Sequence, residues 1–194
     1  MAVHDEVPSP RRGLAGALDR IAGPGATRPE LALQLVLPAI AAALAPLHAA
    51  SVAEGWSTPR FVVCALLAFD VVGGIITNST SSGKRWYHRA GRRFVHHFGF
   101  VSLHLLHLAL VSWLYLELDL VWLAITGAYL LGAAAVVVCA PLYLQRPIAL
   151  AAYTVALLLS GALRAPVGLE WFLSLFYLKL LVSHLPKEQP YAPA

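Results

Sequence analysis

The chain has 194 residues, of which 59% are hydrophobic and only 12% are charged. Soluble domains contain about 25% charged residues, so this composition excludes an ordinary soluble domain and indicates an integral membrane protein. The net charge of +4 does not point to a nucleic-acid partner, because the basic residues flank apolar segments. That placement is typical of contact with anionic lipid and of topology control.

Residues 1–29 contain four prolines and four arginines but no long apolar run, and we interpret them as a cytoplasmic leader. Within the leader, Leu14, Leu18 and Ile21 recur at helical spacing. This spacing predicts a short helix on the membrane surface, with a disordered tail as the alternative. We assign residues 30–184 to a transmembrane helical domain and residues 185–194 to a short cytoplasmic tail.

Six apolar segments predict an all-α, polytopic helical bundle with six transmembrane helices. They cover residues 31–53, 61–78, 94–118, 121–142, 147–163 and 169–183. The third and fourth are separated by a short polar stretch around Glu117 and Asp119, which predicts an antiparallel hairpin. The last two are short, so either could re-enter the membrane without crossing it.

Lysine and arginine placement predicts the orientation, because basic loops resist translocation. Eleven basic residues lie on the predicted cytoplasmic side, and only Arg60 and Arg164 lie on the other. We therefore expect both termini to be cytoplasmic in a multi-pass protein of a bacterial cytoplasmic membrane. Lys179, inside the sixth segment, is expected to extend its ammonium group toward the cytoplasmic face.

Five of the eight histidines fall between residues 88 and 107, which is unusual for a membrane segment. On one helix, four of them would lie within an arc of roughly 100°. Imidazole nitrogens need polar partners, so this face should point into the bundle. Three explanations stay open: interhelical hydrogen bonding alone, a metal or haem site, and a proton or ion pathway. The four residues are His96, His97, His104 and His107.

A metal site is the most specific of these explanations, because neutral imidazole is a common ligand of transition metals. His104 and His107 can approach one ion from a single helical turn, and we predict that His97 joins them to bind iron or zinc. Asp70, His88 and His184 are candidates for completing the ligand set. Haem is less favoured, because the spacing of these histidines does not suit two haems along one helix.

Asp70 is the acidic residue nearest the middle of an apolar span. Leaving it charged and unpaired there would cost at least ~2.5–3.5 kcal/mol, so it should be paired or protonated. We predict that it acts as a catalytic base or orients a ligand. Similar depths on consecutive antiparallel helices predict that Asp70 lies near His104. Gly73 and Gly74 should allow a neighbouring helix to approach closely.

The loop 79–93 carries five basic side chains together with Trp86 and Tyr87. Membrane anchoring is the simplest interpretation. The alternative is recognition of an anionic lipid headgroup, for which the candidates are Lys84, Arg85, His88 and Arg89.

Together these residues predict a metal-dependent enzyme acting on a lipid or another apolar substrate at an intramembrane His/Asp site. Membrane lipid is the expected partner. A proton-coupled or metal-ion transporter is the first alternative, and a scaffold or assembly subunit with purely structural histidines is the second.

Overall fold

A computed structural model describes residues 7–188. All regular secondary structure in this range is helical, which confirms the predicted all-α class. The helices are α1 Gly13–Ala22, α2 Arg28–Val52, α3 Thr58–Ser79, α4 Ser81–Tyr87, α5 Phe94–Leu103, α6 Leu105–Tyr115, α7 Leu120–Cys139, α8 Leu142–Ala162 and α9 Phe172–Tyr177, the last continuing into a π-helical segment, Leu178–His184.

Five helical stretches are long and apolar enough to cross a membrane, as a multi-pass membrane protein requires. They are α2, α3, α7, α8 and the combined stretch Phe94–Tyr115, formed by α5 and α6. The predicted sixth span is not confirmed. Its apolar helix, Phe172–His184, has 13 residues and would extend about 20 Å, short of the ~30 Å hydrocarbon core.

This short final helix lies at the centre of the bundle. The π-helical segment packs against α3, α7 and α8, and α9 contacts α3 and α8. Phe172, Phe176 and Tyr177 are fully buried, whereas large apolar side chains on α2 and α8 stay exposed, as lipid-facing residues would. The bundle is therefore organised around its shortest apolar helix.

The connection between α6 and α7 is the predicted tight turn. Glu117 and Leu118 adopt positive φ values of 53° and 61°. The Ser112 hydroxyl donates to the Asp119 carbonyl at 2.9 Å, and the Asp119 carboxylate accepts from the Trp122 N–H. Side-chain capping thus ends one helix and starts the next within a few residues.

The predicted short helix of the leader is formed as α1, which is attached to α4. Trp86 Nε1–H donates to the Arg20 carbonyl at 3.0 Å, and the Tyr87 hydroxyl donates to the Ile21 carbonyl at 2.9 Å. Leu14 on α1 is 92% exposed. Residues 1–6 of the predicted leader and 189–194 of the predicted tail lie outside the described range.

Candidate functional site

Asp70, His107 and Lys179 meet in the interior of the bundle, and we call them the charged cluster. Lys179 Nζ donates to Asp70 Oδ2 at 2.5 Å, and His107 Nε2 lies 3.1 Å from the same oxygen. The Lys179 side chain is only 3% exposed, whereas that of Asp70 is 45% exposed. Because an ammonium group in an apolar bundle needs a counter-ion, this geometry makes Asp70 the ionised partner of Lys179.

Glycine at position 74 allows this ion pair to form. A Cβ atom there would overlap the Lys179 side chain, so its absence lets the lysine lie directly against α3. The close approach expected at this glycine is therefore present. The expectation that Lys179 extends to the cytoplasmic face is wrong, because a carboxylate within reach holds the ammonium inside the bundle.

The predicted pairing of Asp70 with His104 is wrong, because the histidine that contacts the carboxylate is His107, one turn beyond His104. The helix is interrupted at His104, where α5 ends and α6 begins. His104 Nδ1–H donates to the Phe100 carbonyl at 2.8 Å. The His104 ring stacks on His107, with 4.9 Å between ring centroids. His104 therefore supports the charged cluster without contacting the carboxylate.

A cavity of about 490 Å³ lies beside the charged cluster, within the usual size range of small-molecule sites. Asp70, His107 and Lys179 line one part of it, and apolar side chains such as Leu35 and Phe69 line much of the rest. Leu35 and Phe69 are also 48% and 43% exposed, so the cavity reaches the apolar surface of the bundle. It combines an apolar wall with the ion pair of Asp70 and Lys179.

A second polar cluster, formed by His88, His97 and His184, lies toward α4, and we call it the histidine cluster. His184 Nδ1–H donates to Asn78 Oδ1 at 3.1 Å. His88 Nε2–H donates to the His184 carbonyl at 2.8 Å, and the His88 and His97 rings stack at 4.5 Å. This cluster joins α3, α4, α5 and the end of the π-helical segment.

Lys84 completes that junction. Its Nζ donates to the carbonyls of Ser183 and Pro186 at 2.7 and 2.9 Å, at the end of the π-helical segment. Burial lowers the pKa of Lys84 to about 8, and burial together with nearby His97 lowers the pKa of His88 to about 4. Both residues, predicted to bind a headgroup, are thus engaged within the protein.

The other two predicted headgroup residues are less enclosed. The Arg89 guanidinium lies 3.7 Å from the centroid of the Trp86 ring, a cation–π contact. Arg85 forms no ion pair with any residue in the described range 7–188. An anion approaching α4 would therefore meet Arg85 and Arg89 rather than Lys84.

The predicted metal ligands divide between the two clusters. His104 and His107 belong to the region of Asp70, whereas His97 stacks on His88. Among residues 7–188, no group of three or more histidine, cysteine, aspartate or glutamate side chains is arranged to hold a metal ion. The iron or zinc site stays a prediction.

Lys179 is the site residue whose role sequence reasoning missed, although a signal was present. It is the basic residue of the sixth apolar segment, and Asp70 is the acidic residue near the middle of the second. Opposite charges in apolar segments pair with each other far more often than they face lipid. That rule alone would have placed the two segments side by side.

Comparison with known proteins adds no relative to this description. No protein family, curated protein or solved structure matches the chain.

Proposed function

We propose that this membrane protein binds a lipid or another amphipathic molecule in the cavity and carries out acid–base chemistry on its polar group. One observation carries the proposal. The Asp70 carboxylate, held by Lys179 and His107 through one oxygen, lies at the wall of a largely apolar cavity with nearly half of its surface open. An ionised group maintained at such a place is a frequent mark of an intramembrane functional site.

The three residues have separate roles in this proposal. Asp70 is the catalytic base that removes a proton from a hydroxyl or similar group of the bound molecule. Lys179 is the fixed cation that keeps Asp70 ionised. The proton goes to the Asp70 oxygen that Lys179 and His107 leave free, and Asp70 returns it to the same molecule. His107 donates through Nε2–H and fixes the orientation of the carboxylate; its Nδ1 is buried and has no hydrogen-bond partner in the described part of the chain.

The cavity walls favour a substrate with an apolar body. Leu18 and Ile21 of α1 and Leu35 of α2 line the side of the cavity nearest to the apolar surface. Tyr87 of α4 also lines it, so a headgroup leaving the cavity beside Tyr87 would reach Arg85 and Arg89 on or next to the same helix. The proposed ligand is therefore a membrane lipid whose headgroup is anionic.

A metal-dependent form of this chemistry would use His104 and His107, whose stacked rings lie beside the cavity. Bound iron or zinc would polarise the polar group of the substrate, and Asp70 would remain the base. Metal analysis of the purified protein, together with an optical spectrum for haem, tests this form. If the purified protein contains less than one tenth of an equivalent of metal, only the metal-free form of the proposal remains.

The proposed orientation places both termini and α4 in the cytoplasm of a bacterial cell, on the basis of the 11-to-2 asymmetry of basic residues. Only five helices in the described part of the chain reach spanning length, but the short last helix runs from the end near Glu170, which pairs with His48, to His184, which bonds to Asn78 beside α4. The chain therefore still returns to the α4 side. Reporter fusions after Arg89 and at the C-terminus test it. Periplasmic reporter activity at either position would contradict it.

The central experiment compares molecules that copurify with the protein. Leu35→Trp fills the cavity, and Leu33→Trp is the matched control, because Leu33 is 50% exposed on the same helix and Leu35 is 48% exposed. We expect mass spectrometry to find an enriched lipid in wild type and in the Leu33 variant, and its loss in the Leu35 variant. Equal lipid content in all three proteins would contradict a ligand-binding cavity.

Asp70→Asn separates binding from chemistry. Below its lowered Tm, this variant should retain the unreacted lipid, and incubation of lipid extracted from the variant with wild-type protein, but not with the variant, should produce a changed species. If wild-type protein leaves the lipid unchanged, the cavity binds without catalysis and the acid–base proposal fails.

A proton-coupled or metal-ion transporter is the second candidate, because aromatic and histidine rings extend from the charged cluster toward α4. Phe100 lies between the two clusters, with ring centroids 4.6 Å from His104 and 4.1 Å from His184. In proteoliposomes with an internal pH dye, transport predicts proton flux that Asp70→Asn abolishes. If there is no proton flux, no copurifying lipid and no bound metal, a scaffold subunit is favoured.

A further inference from the structure

A second, smaller cavity lies at the opposite end of the bundle from α4. Its volume is about 130 Å³, and it is lined by Arg60, at the start of α3, and by Arg164, in the connection after α8. Trp56, Tyr115 and Pro166 also line it. Arg60 and Arg164 are the two basic residues that sequence analysis places apart from the other basic loops, and here they share one cavity.

No ion pair within the described range 7–188 involves either arginine. Two acidic residues from the same end of the bundle are engaged elsewhere. Glu170 accepts from the Gly168 N–H at 2.9 Å and pairs with His48 at 3.2 Å, and Asp119 caps α7. Glu54 and Glu117, also at this end, form no ion pair with either arginine. Neither arginine that lines the cavity therefore has a described carboxylate within ion-pair distance.

The cavity is built from fixed parts. The Tyr115 hydroxyl donates to the Arg60 carbonyl at 2.6 Å, and the Tyr115 ring lies 5.0 Å from that of Trp56. Gly168 packs on the far side of Trp56 with φ +88°, where any side chain would press against the indole. The loop that carries Arg164 is thereby held next to the start of α3, whose helix dipole adds positive potential.

We propose that this cavity is an anion-binding site for a phosphate group. The planar guanidinium groups of arginine bind phosphate oxygens in pairs, and the dipole of α3, which begins next to the cavity, adds a smaller positive potential. The volume is about four times the ~30 Å³ of a liquid water molecule, which suits a phosphate but not a lipid with its acyl chains. The phosphate therefore belongs either to a lipid whose chains remain in the membrane or to a free phosphate ion.

The test uses the full chain in detergent and a charge-matched pair of double variants. Arg60→Gln with Arg164→Gln removes the site. Arg28→Gln with Arg92→Gln removes two exposed charges at the other end of the bundle and serves as the control. Thermal unfolding is measured with and without inorganic phosphate, and native mass spectrometry records adducts of added phosphatidylglycerol.

Because the large cavity is also proposed to bind an anionic lipid, we expect the Arg60/Arg164 variant to retain one phosphatidylglycerol adduct fewer than wild type and the control. If the ligand is free phosphate, saturating phosphate should also raise the Tm of wild type by about 5 °C, with no rise in the site variant, and should displace the adduct. If the ligand is a lipid, the adduct is lost in the site variant and phosphate leaves Tm unchanged.

Equal adduct retention and equal Tm response in the site variant and wild type would overturn the proposal. If the site variant does not fold, Arg60→Lys replaces it, because lysine retains the charge but loses the planar fork. That variant should weaken phosphate or lipid retention by at least threefold. Unchanged retention would likewise overturn the proposal.

Discussion

The charged cluster and the histidine cluster both involve the π-helical segment, at Lys179 and His184, yet their polar groups are satisfied in different ways. In the histidine cluster, hydrogen bonds from His88 and Lys84 reach backbone carbonyls at the end of the segment. In the charged cluster, two donors share one carboxylate oxygen, and the carboxylate stays open to the cavity.

This difference separates a structural role from a chemical one. Where the side-chain donors of a cluster bond to backbone carbonyls, the hydrogen bonds hold two chain segments together. A carboxylate that keeps its charge and remains exposed to a cavity is available to a ligand. The basic loop, which by sequence is the more conspicuous feature, therefore contributes mainly to structure near Lys84 and His88, whereas Asp70 is the residue to which the proposed function assigns the chemistry.

The largest effect is expected at the charged cluster. Asp70→Asn leaves the buried Lys179 ammonium without a counter-ion and should lower the free energy of unfolding by about 3–4 kcal/mol. Thermal or denaturant unfolding in detergent measures this loss. The double variant Asp70→Leu with Lys179→Met should recover most of the stability that Asp70→Asn loses, because no unpaired charge remains. A double variant as unstable as Asp70→Asn would contradict the ion-pair interpretation.

The histidine cluster should show its effect through pH. The pKa of His88 is about 4 in the folded protein against 6.5 for an ordinary histidine, so the unfolded chain binds more protons between these values. Stability should therefore fall by about 2–3 kcal/mol as pH drops from 6.5 to 4. His88→Asn should flatten this part of the unfolding profile, and an unchanged profile would show that His88 is not its source.

Lys84 should contribute a smaller amount to the free energy of unfolding, and near neutrality this amount should not depend on pH. Lys84→Met removes the donor to two carbonyls at the end of the π-helical segment and should destabilise the protein by about 2 kcal/mol. Arg85→Met, at the adjacent position, is the control and should change stability by less than about 0.5 kcal/mol. Hydrogen exchange near Ser183 should increase only in the Lys84 variant.

The smallest effect distinguishes the two histidines beside Asp70. Asp70→Asn and His107→Gln remove the same contact, so their effects on unfolding should be non-additive by about 1 kcal/mol. Asp70→Asn and His104→Gln should be nearly additive, because His104 bonds to a backbone carbonyl. The reverse pattern would restore the pairing expected from helix depth.

Composition and the apolar segments alone determined the membrane class, the helical fold and the hairpin formed by α6 and α7. These properties depend on the cost of exposing backbone and apolar surface, which is set locally by residue type. Likewise, Asp70 was recognisable as a site residue because a lone carboxylate in an apolar segment needs a partner wherever that segment lies.

Only the tertiary structure decided which partners these residues have. The predicted histidine face does not point into the bundle as one group: His97 lies at the histidine cluster, His104 and His107 lie at the charged cluster, and His96, which accepts from the Arg93 N–H, is exposed. The absence of a side chain at Gly74 admits Lys179 against α3. In the sequence, the 13-residue apolar helix Phe172–His184 resembles a short membrane span. In the structure, its buried side chains form the core of the bundle. Hydropathy measures transfer out of water, and it does not distinguish a lipid neighbour from a protein one.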